Sequence, residues 1–247
     1  MRSAERVMLA PAFLLHQHPW RESSRILEVF SRDHGRVGLV ARGIRRPGSP
    51  FRAVLAPFRP LLLSWNLRGE LGTLTQVEVA GTGSPLSGDS LMGGFYLNEL
   101  LLLLTARHDP QPELYDRYAA TLLIIADSNS LESGLRLFEL HLLQAIGYGL
   151  NLERDAASGE PIRADANYRF EPERGLVSVP GDAATGLVVH GTTVAAMLKG
   201  ELNDPGSLRE ARKLMRAALD VQLGGRRLKT RDVLRELDRF RAPATRH

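Results

Sequence analysis

Apolar residues come in short blocks over the first 80 positions and then spread to a three-to-four spacing. VMLAPAFLL, SRILEVFSR, GRVGLVARG, PLLLSWNL and LGTLTQVEVAG are apolar or alternating runs of strand length. HPWRES, DHG, RRPGSP and RGELG separate them with turn formers. Five short strands in succession predict a small closed barrel, because closure leaves no unpaired edge.

At Gly81 the pattern changes. GTGSPLSGD reads as a linker, and three helices are predicted after it: Leu91 to Arg107, Pro112 to Ala126 and Leu131 to Gly147. DPQP and DSNS offer N-cap chemistry between them, and Gly147-Tyr148-Gly149 offers a C-terminal stop. Residues 150–190 break the helical period. They are rich in turn formers and hold two strand-like pieces, YRFEP and GLVSVP. Helices resume at Thr192 to Lys199, Leu208 to Leu223 and Thr230 to Phe240. Ser207 and Glu210 form an S-x-x-E capping box before the second of these, and Gly224 and Gly225 end it. The fold class is therefore α+β and multidomain. Residues 1–80 form the barrel, 81–149 and 191–247 form two parts of an all-α domain, and 150–190 form an insertion into it.

Composition sets limits on this picture. At 43% hydrophobic and 24% charged, the 247 residues describe a globular chain able to bury a large core. The absence of cysteine excludes a disulfide framework and a thiolate metal site. The N-terminus, MRSAERVMLAPAF, lacks the long apolar core of a secretory signal. The longest apolar run, Leu100 to Leu104, follows Asn98 and Glu99 and is far short of the ~20 apolar residues that span a bilayer. A cytoplasmic location with no membrane contact is expected.

Charge is segregated. Residues 1–80 hold twelve Arg against six acids, 81–205 hold eight Lys or Arg against seventeen, and 206–247 hold twelve against five. The net charges are +6, −9 and +7, so two basic ends flank an acidic middle. Arginine predominates over lysine, as a GC-rich genome would also produce, but codon bias does not segregate charge.

The densest positive stretch is RVGLVARGIRRPGSPFR, Arg36 to Arg52, with no acid between Asp33 and Glu70. Arg36, Arg42, Arg45, Arg46 and Arg52, with Arg21 and Arg25 upstream, are the candidate nucleic-acid contacts. Guanidinium groups fork onto phosphate and stack on bases. Small barrels bind single strands by a basic groove and aromatic platforms. Of the nearby aromatics, at least two of Trp20, Phe58 and Trp65 are expected in the core, leaving Phe51 as the stacking candidate. The C-terminal GGRRLKTRDVLREL adds Arg226, Arg227, Lys229, Arg231 and Arg235. Cations at a helix start oppose its dipole, which favours a partner, although a solvated surface run fits the same residues. Arg136 on an apolar helix, with Arg209, Arg212 and Lys213 at another helix start, suits an acidic peptide with a hydrophobic terminus. The plainer alternative for Arg136 is an ion pair with Glu132 or Glu139. Nucleotide-binding, metalloprotease and hydrolase motifs are absent. His16 and His18 share a strand face without further ligands, so no metal and no cofactor are expected.

In the order of its segments the chain resembles the bacterial RecO family of recombination mediators. The segments are RESSRILEVFSRDHGRVGLVARG, APFRPLLLSW, RGELGTL, FYLNELL, LRLFELHLLQAIGYGLNL and GGRRLKTRDVLREL. The resemblance runs over essentially the whole chain. It implies an N-terminal five-stranded OB-fold barrel, a helical domain, and binding to single- and double-stranded DNA. It further implies partnership with the acidic C-terminal tail of SSB and with RecR, replacement of SSB by RecA, and annealing of complementary strands. The family's peptide groove lies in the helical domain, which makes Arg136 and Arg209 candidates for the SSB tail. Many relatives carry a four-cysteine zinc module starting CxxCG; here the matching stretch is Asp155-Ala-Ala-Ser158-Gly159. A zinc-less insertion held by packing through Tyr168 and Phe170 is expected. A non-enzymatic DNA-binding mediator is the reading, and a protein–protein adaptor with incidental DNA contact is its alternative.

Overall fold

The computed structural model describes residues 5–83, 85–180 and 185–233. Five strands stand where the alternation placed them, except that β1 runs on through His18, Pro19 and Trp20, expected as turn: β1 (Glu5–Trp20), β2 (Ser24–Ser31), β3 (Gly35–Ala41), β4 (Leu61–Arg68) and β5 (Leu71–Val79). They pair in the order β1-β2-β3-β5-β4, and β4 pairs back onto β1 to close the barrel. The β3–β5 pair is parallel and the others antiparallel. β1 serves both β4 and β2 because it bends at two irregularities, between Val7 and Ala10 and between Leu14 and His16. At the first, Leu9 takes a left-handed φ of 49°, and its N–H donates to Ser64 Oγ at 3.0 Å.

The interior is filled by alternate residues of the strands, among them Ala12, Leu14, Leu27, Val29, Val37, Leu39, Leu61, Leu63 and Trp65. β2 is buried on both faces. Its outward Phe30, with Phe13 of β1, packs against Tyr115 and Tyr118 of α3 (Pro112–Ile124). A five-residue helix, α1 (Pro50–Val54), lies between β3 and β4.

The longer helix α2 (Gly88–Leu104) is held to the barrel through polar groups in its apolar run. Asn98 Nδ2 donates to the Leu15 carbonyl at 2.9 Å and Asn98 Oδ1 accepts from Tyr118 Oη at 2.5 Å, all three groups being buried. By compactness the described residues through Ser128 form one unit together with those from Leu228 on, and Asn129–Arg227 forms a second.

The second unit contains α4 (Leu131–Ala145), α5 (Gly191–Lys199) and α6 (Pro205–Leu223), with a sheet ordered β7-β6-β8 from β6 (Asn167–Glu171), β7 (Gly175–Val179) and β8 (Val188–His190). β8 was not anticipated. Nor are the N-caps those expected. Gln111 and Ser130 make no side-chain cap bond at α3 and α4. The Ser207–Glu210 box does not form. α6 starts earlier, with Pro205 in its first turn and Asp204 accepting from the Ser207 N–H at 2.8 Å. Glu210 instead accepts from the His190 N–H at 2.9 Å and the Thr193 hydroxyl at 2.7 Å, capping α5 from a neighbouring helix. Gly147 and Gly224, both in left-handed conformation, end α4 and α6 as expected.

At Asp155 to Gly159, the stretch expected to lack a metal, a carboxylate organises the turn. Asp155 is buried. One of its oxygens accepts from Ala157 N–H at 2.7 Å and Ser158 N–H at 3.4 Å, and the other accepts from Ser178 N–H of β7 at 3.2 Å. The bond to Ser178, with the Ala157 and Ser158 amides, holds the Asp155 carboxyl at about 2, well below the ordinary carboxylate range. These residues do not fit a zinc ion: Asp155 spends both oxygens on backbone donors, and no group of three His, Cys, Asp or Glu able to hold a metal exists among the described residues. Tyr168 and Phe170 are buried as expected, and the Tyr168 oxygen also accepts from Arg163 N–H at 2.8 Å.

Candidate nucleic-acid interface

The barrel end that follows β3 is where arginine accumulates. β2 and β3 pair with Arg25 opposite Ala41, so Arg25 stands beside the start of the 42–49 loop. The β1–β2 turn, residues 21–23, lies at the same end, because Trp20 pairs with Ser24. The Arg45 N–H donates to the Ser23 carbonyl at 3.1 Å and ties loop to turn. Within the loop three successive bonds wind the backbone tightly: Arg46 N–H to Gly43 O (3.0 Å), Ser49 N–H to Arg46 O (3.2 Å) and Arg52 N–H to Ser49 O (3.2 Å). Gly43 has φ +68°, a conformation that suits glycine.

This winding splits the arginines between two hollows. An open one of about 840 Å³ is lined by Trp20, Arg21, Val40, Arg42, Gly43 and Arg46, with Glu22 as its one carboxylate. The Arg21 guanidinium lies 6.0 Å from the Trp20 ring centroid. A smaller one of about 210 Å³ is lined by Gln17, Arg25, Ile44, Arg45, Arg52 and Leu55, with no carboxylate. Among the described residues Arg21, Arg25, Arg42, Arg45, Arg46 and Arg52 make no ion pair. Six uncompensated cations on one barrel end create a positive potential suited to a polyanion.

Two expected members stand apart from this cluster. Arg36 sits at the other end of β3, opposite Phe30. Its guanidinium donates to Glu28 Oε2 at 3.3 Å and to the Thr105 carbonyl at 3.0 Å, and Arg107 binds the other Glu28 oxygen. Burial lowers the Arg36 pKa, with Glu28 opposing and Arg107 adding to the shift. Arg36 is thus already engaged by Glu28 and the Thr105 carbonyl. Phe51 packs, partly buried, against the barrel core from α1, since that short helix turns Phe51 and Val54 inward and Arg52 outward. Trp20 is the aromatic left open at this end, 42% exposed, while Trp65 and Phe58 are buried. The signal for Trp20 was in the sequence: HQHPW is the polar tail of a strand, and it runs directly into Arg21.

The C-terminal candidates separate. Arg226 turns back on α6, its guanidinium donating to Leu223 O at 2.9 Å and Gln222 O at 3.2 Å, the carbonyl end of the helix dipole. Arg227 and Lys229 are exposed. Residues 229–233 are helical, and the opposed dipole is compensated: Glu99 of α2 accepts from Lys229 N–H (2.8 Å), Thr230 N–H (2.9 Å) and the Thr230 hydroxyl (2.6 Å). Arg231 lies 5.9 Å from the Tyr96 ring centroid. Arg235 lies outside the described residues.

In the second unit Arg136 is buried and pairs with Glu139 at 2.6 Å. Arg209, Arg212 and Lys213 are exposed on α6 with Arg216, which the sequence reading missed; their spacing puts all four on one stripe. Arg212 approaches Glu132 at 3.7 Å and Arg216 approaches Asp220 at 3.9 Å, both pairs solvent-exposed and weak. No described helix is long and apolar enough to cross a membrane.

Comparison with known proteins agrees along the chain. Residues 6–82 match the family described as recombination protein O, N terminal, and residues 86–232 match recombination protein O, C terminal. A protein of Alkalilimnicola ehrlichii named DNA repair protein RecO is 48% identical over 98% of this chain and 97% of its own. Proteins of the same name from Nitrosococcus oceani and Azoarcus sp. are each 45% identical, covering 95% and 96% of this chain and 96% and 99% of their own.

Proposed function

Because this chain belongs to the recombination protein O family of DNA repair proteins, we propose that it acts as a non-enzymatic recombination mediator whose arginine barrel end binds DNA. One observation carries the reading: six arginines without ion pairs among the described residues stand at one end of the barrel, and three of them, Arg21, Arg42 and Arg46, line a hollow with the exposed Trp20. Phosphates neutralise such a surface and release counterions. The indole offers a stacking face to an unpaired base, which a duplex does not present, so single strands gain a contact that duplexes lack. Duplex DNA binds there through its phosphates alone, without reading sequence.

In this reading the α6 stripe of Arg209, Arg212, Lys213 and Arg216 meets the acidic C-terminal tail of SSB, with Arg136 holding the interior of α4 rather than touching the tail. Two strands gathered on one cationic surface repel each other less, which favours annealing. SSB engaged through its tail, together with RecR, leaves the strand open to RecA. No step requires nucleotide hydrolysis. Such work places the protein with DNA in the cytoplasm. A salt titration of single-strand affinity tests the reading: log affinity is expected to fall linearly with log salt concentration. A flat response would sink it, and tight binding of acidic protein partners alongside such a response would favour an adaptor.

A further inference from the structure

The smaller hollow at the arginine end is built differently from the open one. Its lining comes from β1 (Gln17), β2 (Arg25), the loop (Ile44, Arg45), α1 (Arg52) and the residue after α1 (Leu55). Ile44 and Leu55 are buried and make an apolar wall. Arg25 Nε and Gln17 Oε1 are buried atoms with no hydrogen-bond partner. Buried polar groups are nearly always satisfied, so a donor and an amide left open in a cavity point to a ligand. Turning the Gln17 amide by half a turn presents its NH2 to the same space, which makes the polar lining one of donors only.

Three guanidiniums, no carboxylate and a volume of about 210 Å³ fit a compact, multiply charged oxyanion. We infer that this hollow seats the terminal phosphomonoester of a DNA strand, while the strand itself runs over the open hollow beside Trp20. An internal phosphodiester carries one charge and two free oxygens, and its chain must leave in two directions. A terminal phosphate carries close to two charges at neutral pH and three free oxygens, and its chain leaves in one. The inference rests on the reading that the arginine end takes DNA, and it adds a preference for strand ends.

The experiment compares short single strands of one sequence bearing a 5′-phosphate, a 3′-phosphate or hydroxyl ends, by fluorescence anisotropy at fixed salt. One phosphorylated form is expected to bind about tenfold tighter than the hydroxyl form. That ratio is expected to collapse to about one in Arg25→Gln, and in Arg52→Gln should the first variant fail to fold. Equal affinity of all three strands for the wild-type protein overturns the inference and leaves the DNA reading intact. Failure of every strand to bind overturns both. A preference that persists in both variants overturns the site. Inorganic phosphate is added alone as a further arm. If it raises the thermal midpoint of the wild-type protein without any strand preference, the hollow is a free-phosphate site and the inference is wrong.

Discussion

The Arg45 N–H and the Ser23 carbonyl meet at 3.1 Å, and this bond makes one surface of two separate connections. Arg42, Arg45 and Arg46 repel one another, and a free loop would spread them. The bond to the β1–β2 turn and the tight backbone winding from Gly43 to Arg52 oppose that spreading. The positive charge is therefore held in place before any ligand arrives, so less ordering is needed on binding.

Arg42 and Arg46 are predicted to act through phosphate, and Arg36 is not. Arg42→Gln and Arg46→Gln should each lower single-strand affinity and reduce the salt slope by about 0.7. Arg36→Gln should leave the slope unchanged. It should lower the thermal midpoint, because it leaves Glu28 with one partner and the Thr105 carbonyl with none of its guanidinium contact. Anisotropy titrations at several salt concentrations and melting curves separate the two outcomes.

Trp20 and Phe51 should exchange the roles that their neighbourhoods in sequence suggest. Trp20→Ala is expected to cost about 1–3 kcal/mol of single-strand affinity with little loss of stability. Phe51→Ala is expected to destabilise the barrel mouth and leave the intrinsic affinity close to wild type. The chain has two tryptophans and Trp65 is 1% exposed, so quenching of emission by added DNA reports on Trp20. An unquenched spectrum at saturating DNA would count against the stacking role.

Asp155 should make the second unit sensitive to acid. Its carboxyl sits at about 2 in the folded protein, below the ~3.9 of a free aspartate. A depressed carboxyl stabilises the fold fully above the unfolded value and loses that contribution as pH falls through the folded one. The thermal midpoint of the wild-type unit should therefore drop between about pH 4 and pH 2. Asp155→Ala should cost about 1–3 kcal/mol near neutral pH by leaving backbone donors unpaired. The gap between variant and wild type should narrow on acidification over the same window. A constant gap would show that the carboxylate's charge is not what holds the turn.

The barrel was legible because its strands alternate and its turns are marked. α1 and β8 were not: five and three residues are too few to show a period. The six arginines that make no ion pair among the described residues stand near one another in sequence, which made that cluster visible. The ion pair of Arg36 was not legible because its partner is set by register. Arg36 lies opposite Phe30, which puts Glu28 on the diagonal, and Arg107 arrives from a segment far along the chain. Trp20 and Phe51 differ in exposure for a reason that composition does not carry, namely which one stands at a strand's open end and which on the inner side of a short helix. The Asp155 turn was anticipated only as a stretch without cysteine, whereas its backbone hydrogen bonds needed coordinates.

Glu99 is predicted to secure the return of the chain to the first unit. Glu99→Ala should cost about 1–3 kcal/mol, since the Lys229 and Thr230 amides lose their acceptor. Hydrogen exchange at those two amides should accelerate, while exchange in β1 to β5 stays near wild type. Unchanged protection at residues 229 and 230 would refute the clasp.

That clasp also orders events during synthesis. Asn129–Arg227 is one uninterrupted stretch, whereas the first unit needs residues from both before and after it. A ribosome releases the barrel strands early, yet the Glu99 carboxylate must wait for Thr230 to emerge. A chain truncated ahead of Leu228 would thus carry a complete second unit and a barrel closed by β1 and β4, but a Glu99 carboxylate without the amides it clasps.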